Sequence, residues 1–206
     1  MLAITQLECM RGERRLFTDL SFEAAPHTLL EVRGPNGSGK TSLLRNLCGL
    51  LPPAAGSIRW RGEDIPALGD DYRSSLAYLG HLSGVKDELN AVENLRLSAQ
   101  AGGLPVDGDA IDGALDKLGV RDYRHLPCRA LSQGQRRRVA LARLCLSGSR
   151  ALWILDEPFT ALDTAALSVI KALVEAHLER GGIVVLTTHQ EVAIAAHATR
   201  RVELGR

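Results

Sequence analysis

Aromatic residues are scarce in this 206-residue chain: three Phe, three Tyr and two Trp make up 4% of it. So few stacking surfaces argue against a platform for single-stranded nucleic acid. An excess of one charge is missing too. Lys and Arg number 25 against 24 Asp and Glu, a formal net charge of +1. Such a balance gives no global attraction to a phosphate backbone or an acidic lipid surface. No run approaches the ~20 apolar residues that cross a bilayer as a helix. The opening Met1-Leu2-Ala3-Ile4-Thr5-Gln6 also has no basic segment followed by an apolar core, so no secretory leader is expected. Cysteine is limited to Cys9, Cys48, Cys128 and Cys145, widely spaced and without a Cys-x-x-Cys pair. That pattern reads as reduced thiols in a cytosolic protein, not as a disulfide framework or a zinc site. What remains, 45% hydrophobic and 24% charged residues, is ordinary for one large globular domain or a core with a modest insertion.

Short aliphatic runs alternate with helical stretches, the order expected of a mostly parallel sheet covered by helices. Leu29-Leu30-Glu31-Val32 is a strand that leads into a glycine-rich turn. Leu43, Leu44, Leu47 and Leu51 then recur at helical spacing, and Pro52-Pro53 is expected to stop that helix. Leu76-Ala77-Tyr78-Leu79 is a second short run. From about residue 91 to 126, helical segments interrupted by Gly102-Gly103, Gly108, Gly113 and Gly119 read as a helical insertion. Leu152-Trp153-Ile154-Leu155 and Ile183-Val184-Val185-Leu186 are too apolar for half-exposed strands and suit the centre of a parallel sheet. Between them Leu167, Ile170, Val174 and Leu178 form a helical stripe that Gly181-Gly182 ends.

Gly34-Pro35-Asn36-Gly37-Ser38-Gly39-Lys40-Thr41 has the spacing G-x-x-x-x-G-K-T directly between a strand and a helix, the context in which it cradles phosphate. Successive backbone N–H groups must converge on phosphate oxygens, and glycine permits the angles without a Cβ clash. The helix that follows adds its positive N-terminal end. Lys40 supplies a mobile cation for the β- and γ-phosphates, the Thr41 hydroxyl is a ligand for Mg²⁺, and Ser42 can hydrogen-bond a neighbouring phosphate. The apolar run at residues 152–155 ends in Asp156-Glu157. Asp156 is placed to hold Mg²⁺ through water. Glu157 is placed to orient, or take a proton from, the water attacking the γ-phosphate.

Leu131-Ser132-Gln133-Gly134-Gln135-Arg136-Arg137-Arg138, followed by Val139-Ala140-Leu141-Ala142-Arg143, resembles the signature of ATP-binding-cassette (ABC) ATPases. The order of parts agrees over nearly the whole chain: phosphate loop, helical insertion, signature, acidic strand, Phe159-Thr160-Ala161-Leu162-Asp163, then His189 after a buried strand. The resemblance implies an α/β P-loop NTPase fold in a single ABC ATPase domain, residues 1–206. Its mostly parallel sheet core would span approximately 1–81 and 146–206, and a helical subdomain approximately 82–145. ATP and Mg²⁺ are the implied ligands. A head-to-tail homodimer is expected on ATP binding, each nucleotide lying between one copy's phosphate loop and Ser132, Gly134 and Gln135 of the other. His189 corresponds to the family's switch histidine at the γ-phosphate, and Asp163 to the acid of the loop that links the two sites.

Three positions depart from the family pattern. Gln133 stands where glycine is commonest, so close phosphate contact there rests on Ser132 and Gly134. His81 stands where a glutamine is usual; a neutral imidazole can still hydrogen-bond the attacking water, whereas a protonated one would repel Mg²⁺. Arg11 aligns with the aromatic that stacks on adenine, and a guanidinium plane can replace it. Arg136 and Arg137 read as a solvated helix face.

His81 narrows the likeness further. Residues 78–81, 152–163 and 181–190 look closely like those of the ATP-binding subunits of the bacterial haem exporter of cytochrome c biogenesis. That likeness implies integral membrane permease partners and, indirectly, a periplasmic haem chaperone. It also implies a peripheral place on the cytoplasmic face of the inner membrane and no nucleic-acid partner. Residues 82–95 would form the groove that docks the permeases. His125 and Cys128 carry iron-ligating atoms but read as an incidental pair, so haem rests on the likeness and not on site chemistry. Alternatives are the ATPase subunit of another exporter, a soluble ABC ATPase acting on nucleic acid or ribosomes, and a non-hydrolysing nucleotide switch. A single cassette with near-neutral charge speaks against the nucleic-acid reading, and Glu157 with His189 against the switch.

Overall fold

The computed structural model describes residues 1–81 and 84–205. Strands β1 (Leu2–Arg11) and β2 (Arg14–Ala24) form a hairpin, and β3 (Thr28–Arg33) leads through the phosphate loop into α1 (Lys40–Leu47). After these come β4 (Ala55–Trp60), β5 (Glu63–Asp64), α2 (Ile65–Leu68), α3 (Asp70–Ser75) and β6 (Leu76–Leu79). The helical portion holds α4 (Ala91–Ala101), α5 (Gly108–Lys117) and α6 (Gln133–Leu146). The remaining elements are β7 (Leu152–Asp156), α7 (Thr164–Glu179), β8 (Ile183–Thr187) and β9 (Ala198–Glu203).

The described residues form two sheets. One is parallel, in the order β6-β7-β8-β3-β9. Its central strands β7 and β8 are buried at every position, as their unbroken apolar sequences require. Alternate side chains serve different layers. Leu152 and Ile154 face a cluster with Leu43, Leu44 and Leu47 of α1, while Trp153 and Leu155 face one with Val139, Leu141, Ile170 and Val174 of α6 and α7. In register, Asp156 lies opposite Thr187, and Thr187 opposite Val32. The carboxyl ends of three neighbouring strands therefore meet, which is where open α/β sheets form their binding crevice.

The second sheet, antiparallel in the order β2-β1-β4-β5, covers the outer side of α1. Period-two alternation does not announce it. The β1–β2 ladder shifts register between Ile4 and Leu7 and again near Cys9, and Gln6 and Asp19 take φ of 48° and 52°. Each irregularity moves the following side chains to the other face.

One expectation, the helix end at the prolines, needs correction. Helix α1 ends at Leu47, before the prolines. Gly49 turns the chain at φ 69°, and the N–H groups of Leu50 and Leu51 both return to the Arg45 carbonyl, at 2.9 and 3.2 Å. Leu51 thus lies outside the helical stripe. Within the proposed docking segment, Leu82 and Ser83 lie outside the described residues, whereas Ala91, Asn94 and Leu95 are buried in α4. Asn94 ties down the loop before it. Its Oδ1 accepts the Lys86 N–H at 2.7 Å, and its Nδ2 donates to the carbonyls of Lys86, Leu89 and Asn90. Among the described residues no helix is long and apolar enough to cross a membrane.

Candidate nucleotide-hydrolysing site

A cleft of about 470 Å³ opens at the carboxyl ends of β3 and β7. Its walls include Arg11, Leu16, Asn36, Gly37, Gly39, Lys40, Thr41, Ser42, His81, Asp156, Glu157, Thr160 and His189. Residues scattered from position 11 to position 189 are thus brought together. Leu16, absent from the sequence reading, adds an apolar surface beside Arg11.

Contacts within the chain fix the shape of the phosphate loop. Gly34 has φ 145°, and a Cβ there would lie 2.5 Å from the Leu204 carbonyl oxygen and 2.7 Å from Ser38 Oγ, so no larger residue fits. Ser38 Oγ is itself buried without a hydrogen-bond partner. Lys40 Nζ curls back over the loop and donates to the carbonyls of Gly34 (2.8 Å) and Pro35 (3.1 Å). A triphosphate entering the loop competes for that ammonium.

At the acidic strand end, Thr41 Oγ1 donates to Asp156 Oδ2 at 2.9 Å, bringing two hard oxygen ligands side by side. This donor set fits Mg²⁺, which is usually held by one or two carboxylates together with substrate phosphates and water. Among the described residues no group of three or more His, Cys, Asp or Glu could hold a metal unaided. Thr187, the last residue of β8, completes the arrangement. Its hydroxyl donates to Asp156 Oδ1 at 2.7 Å and accepts the Glu157 N–H at 2.9 Å. Glu157 sits at φ 53°, with its side chain mostly buried. One carboxylate oxygen lies 3.2 Å from His189 Nε2, and the other accepts from Thr160 Oγ1 at 3.1 Å. Carboxylate and imidazole therefore face the same volume, the geometry needed to hold a water molecule between them and a phosphate.

The signature residues are not in this cleft. Ser132 caps α6: its Oγ accepts the Gln135 N–H at 3.2 Å, and Gln135 Oε1 accepts the Ser132 N–H at 2.8 Å. The Gln135 carbonyl oxygen is thus engaged in the cap, while the Ser132 hydroxyl proton remains free to donate. Gly134, in the first helical turn, presents an open face. Asp163 caps α7 by accepting the Ala166 N–H at 2.9 Å, and its other oxygen pairs with Arg138.

The solvated reading is only partly met at Arg136, which pairs with Asp87 at 3.1 Å while its Nε is buried without a partner, and it fails for Arg137. Arg137 is half-buried and donates through Nη2 to the Glu157 carbonyl at 2.6 Å. Burial pushes its pKa down, opposed by the carboxylates of Asp156 and Glu157. Helical position alone could not reveal this, because the acceptor is a backbone atom 20 residues away. Thr160 and Thr187 were also missed as site residues, although Thr187 immediately precedes Thr188-His189 in the sequence. His125 and Cys128 form no joint site: His125 is exposed, and Cys128 is buried with its sulfur 3.3 Å from Asn94 Nδ2. All four thiols are free.

Fold and site together define a P-loop nucleotide-binding domain with a separate signature helix. The sequence profile of the ABC transporter family matches residues 17–160, and the chain belongs to that family as an ATP-binding, ATP-hydrolysing component. Its relatives include the cytochrome c biogenesis ATP-binding export protein CcmA of Nitrosospira multiformis, 54% identical over 198 residues and 96% of each chain. The protein of the same name from Nitrosomonas europaea is 55% identical over 205 residues, covering 100% of this chain and 96% of the relative. Among solved structures, an ABC transporter ATP-binding protein from Pyrococcus furiosus superposes with a TM-score of 0.81. It shares 24% identity, with 97% of this chain and 96% of that one covered. The dimer of an ATP-binding cassette in a post-hydrolysis state, bound to ADP and phosphate, gives 0.78 at 23% identity over 92% and 88%. At these identities the two structures speak for the fold.

Proposed function

We propose that this chain is the ATP-hydrolysing subunit of a membrane exporter serving cytochrome c biogenesis, and that it couples ATP turnover to haem export or to release of a haem chaperone. Identity above half over nearly the full length of the named export proteins supports the biological assignment. One observation carries the mechanism: a cleft holding phosphate-, metal- and water-directed groups stands apart from the signature that would cover the γ-phosphate. Each copy then contributes two half-sites, and a head-to-tail homodimer completes them.

In this reading ATP binds along residues 34–42, with Lys40 leaving the loop carbonyls for the phosphates and Arg11 beside Leu16 meeting the adenine. Thr41 and Asp156 would hold Mg²⁺, which neutralises phosphate charge when bound. Ser132 and Gly134 of a second copy, at the N-terminal end of α6, close over the γ-phosphate and exclude water. Glu157 orients the attacking water and takes its proton, His189 steadies both, and His81 lines the same cleft. Phosphate release opens the dimer, and that motion passes to integral membrane permeases. The subunit itself lies peripherally on the cytoplasmic face of the inner membrane, with the haem chaperone beyond it in the periplasm. Core (1–81 and 146–206) and helical subdomain (82–145) move as the two parts of one domain.

The test compares the purified protein with Glu157→Gln. The variant is expected to turn over ATP about 10²–10⁴-fold more slowly and to accumulate as an ATP-bound dimer on size exclusion. Equal background phosphate release from both proteins overturns the hydrolytic mechanism. An ATP-bound monomer with the nucleotide enclosed on every side overturns the shared site.

A further inference from the structure

We infer that Arg137 is a positioning residue for Glu157: reaching across from α6, its guanidinium fixes the peptide of the hydrolytic carboxylate. The orientation of that carboxylate thereby depends on the helix that presents Ser132 and Gly134. This deepens the proposed function and rests on its assignment of Glu157.

A left-handed backbone is unfavourable for a residue that carries a side chain, so the φ of 53° at Glu157 must be held by its surroundings. Its peptide groups make three hydrogen bonds. The N–H donates to Thr187 Oγ1 at 2.9 Å; the carbonyl accepts from the Thr160 N–H at 3.3 Å and from Arg137 Nη2 at 2.6 Å. The Arg137 bond is the shortest of the three, and it comes from a different layer of the fold. Without it the carbonyl keeps only the long bond to Thr160, and the peptide plane can rotate. The carboxylate would then move relative to His189, 3.2 Å away.

The location of Arg137 separates this role from direct catalysis. The residue does not line the cleft, and its guanidinium bonds the peptide oxygen of Glu157, not the carboxylate. Removing a guanidinium from water is costly, and the nearby Asp156 and Glu157 charges offset part of that cost. Its neighbour Arg138 grips Asp163 and the Leu118 carbonyl, so adjacent arginines of one helix hold both ends of the stretch 157–163. Five residues separate Ser132 from Arg137, about 7.5 Å along a helix. The signature end and the bond to Glu157 thus belong to one helix.

The experiment uses Arg137→Met, which keeps the length and apolar stem, and Arg137→Lys, which keeps one cationic donor. Misplacing a reacting group by about 1 Å costs about 10²-fold, so Arg137→Met is expected to lower kcat about 10–100-fold while KM for ATP and Kd for ADP stay within about twofold. The melting temperature is expected to stay close to that of the unaltered protein, and Arg137→Lys to restore part of kcat. In a Glu157→Gln background Arg137→Met is expected to cause no further loss, because residues acting through one another are not additive. Unaltered kcat in Arg137→Met, a parallel fall of kcat, nucleotide affinity and melting temperature, or a fully additive loss in the double variant each overturns the inference. Normal turnover in Arg137→Met beside an inactive Glu157→Gln overturns Arg137 alone. An unaffected Glu157→Gln overturns the functional assignment as well.

Discussion

The two ends of the parallel sheet fix the same strands with opposite materials. At the carboxyl ends of β7 and β8, one threonine hydroxyl bonds Asp156 and Glu157, a half-buried arginine holds the Glu157 carbonyl, and Glu157 and Ala161 take φ of 53° and 59°. At the amino ends, where buried Arg150 also donates to the Ser74 and Gly102 carbonyls, the fit is mainly one of shape. The Trp153 ring stacks on His177 with centroids 4.2 Å apart and planes 10° from parallel. Gly182 packs so tightly there that a Cβ would lie 2.2 Å from His177 Nε2. That nitrogen is buried without a partner, and burial, with help from Arg180, lowers the His177 pKa to about 4. The polar groups at the carboxyl ends converge on a cleft, whereas those at the amino ends, Arg150 on the Ser74 and Gly102 carbonyls among them, are spent within the fold. The amino end needs only to stay closed.

The largest expected effect comes from breaking the polar end. Thr187→Val keeps the shape of a fully buried residue but strips the partners from Asp156 Oδ1 and the Glu157 N–H. Each unsatisfied group costs about 1–3 kcal/mol, and loss of geometry is expected to lower kcat about 10–100-fold. Steady-state turnover beside denaturant unfolding measures both, and unaltered turnover would erase the distinction between the two ends. Gly182→Ala should do the reverse. Forcing a methyl group against His177 is expected to cost about 1–3 kcal/mol of stability, read as a lower denaturant midpoint. Turnover at a temperature where the variant remains folded should match that of the parent. A selective loss of kcat would show that the amino end also serves the chemistry.

The effect that is smallest at neutral pH is one of titration. The native chain holds the His177 pKa at about 4, below its ordinary 6.5, so the unfolded chain takes up this proton first as the solution is acidified. The contribution of His177 to stability is therefore complete above pH 6.5 and declines as the pH falls toward 4. His177→Phe preserves a stacked ring and cannot titrate. Unfolding free energies measured from pH 8 to 4 should show a shallower acid limb, by up to about 1.4 kcal/mol per pH unit, with little change at pH 8. An identical acid limb would place the sensitivity elsewhere.

The parts of the site legible in the sequence were those whose chemistry is local. Residues 34–41 specify their own turn, and Asp156-Glu157 follow a strand whose apolar run announces burial. Thr187 and Arg137 were not legible, because their meaning depends on which strands and helices become neighbours. Arg137 sits in a run of three arginines that looks like a solvated helix face, and only the Glu157 carbonyl distinguishes it. Likewise the parallel core was readable from the runs at 152–155 and 183–186, whereas β1 and β2 were not, since their bulges break the alternation on which such a reading depends.

The close approach of Leu204 to Gly34 gives the phosphate loop a floor made from a distant stretch of chain. Leu204 donates its N–H to the Arg33 carbonyl at 2.9 Å, and a Cβ at Gly205 would lie 3.2 Å from that of Ser38. The grip on ATP is thus braced from beneath by residues some 170 positions downstream, so an alteration made just past β9, far from any motif, acts directly on how firmly the nucleotide is seated.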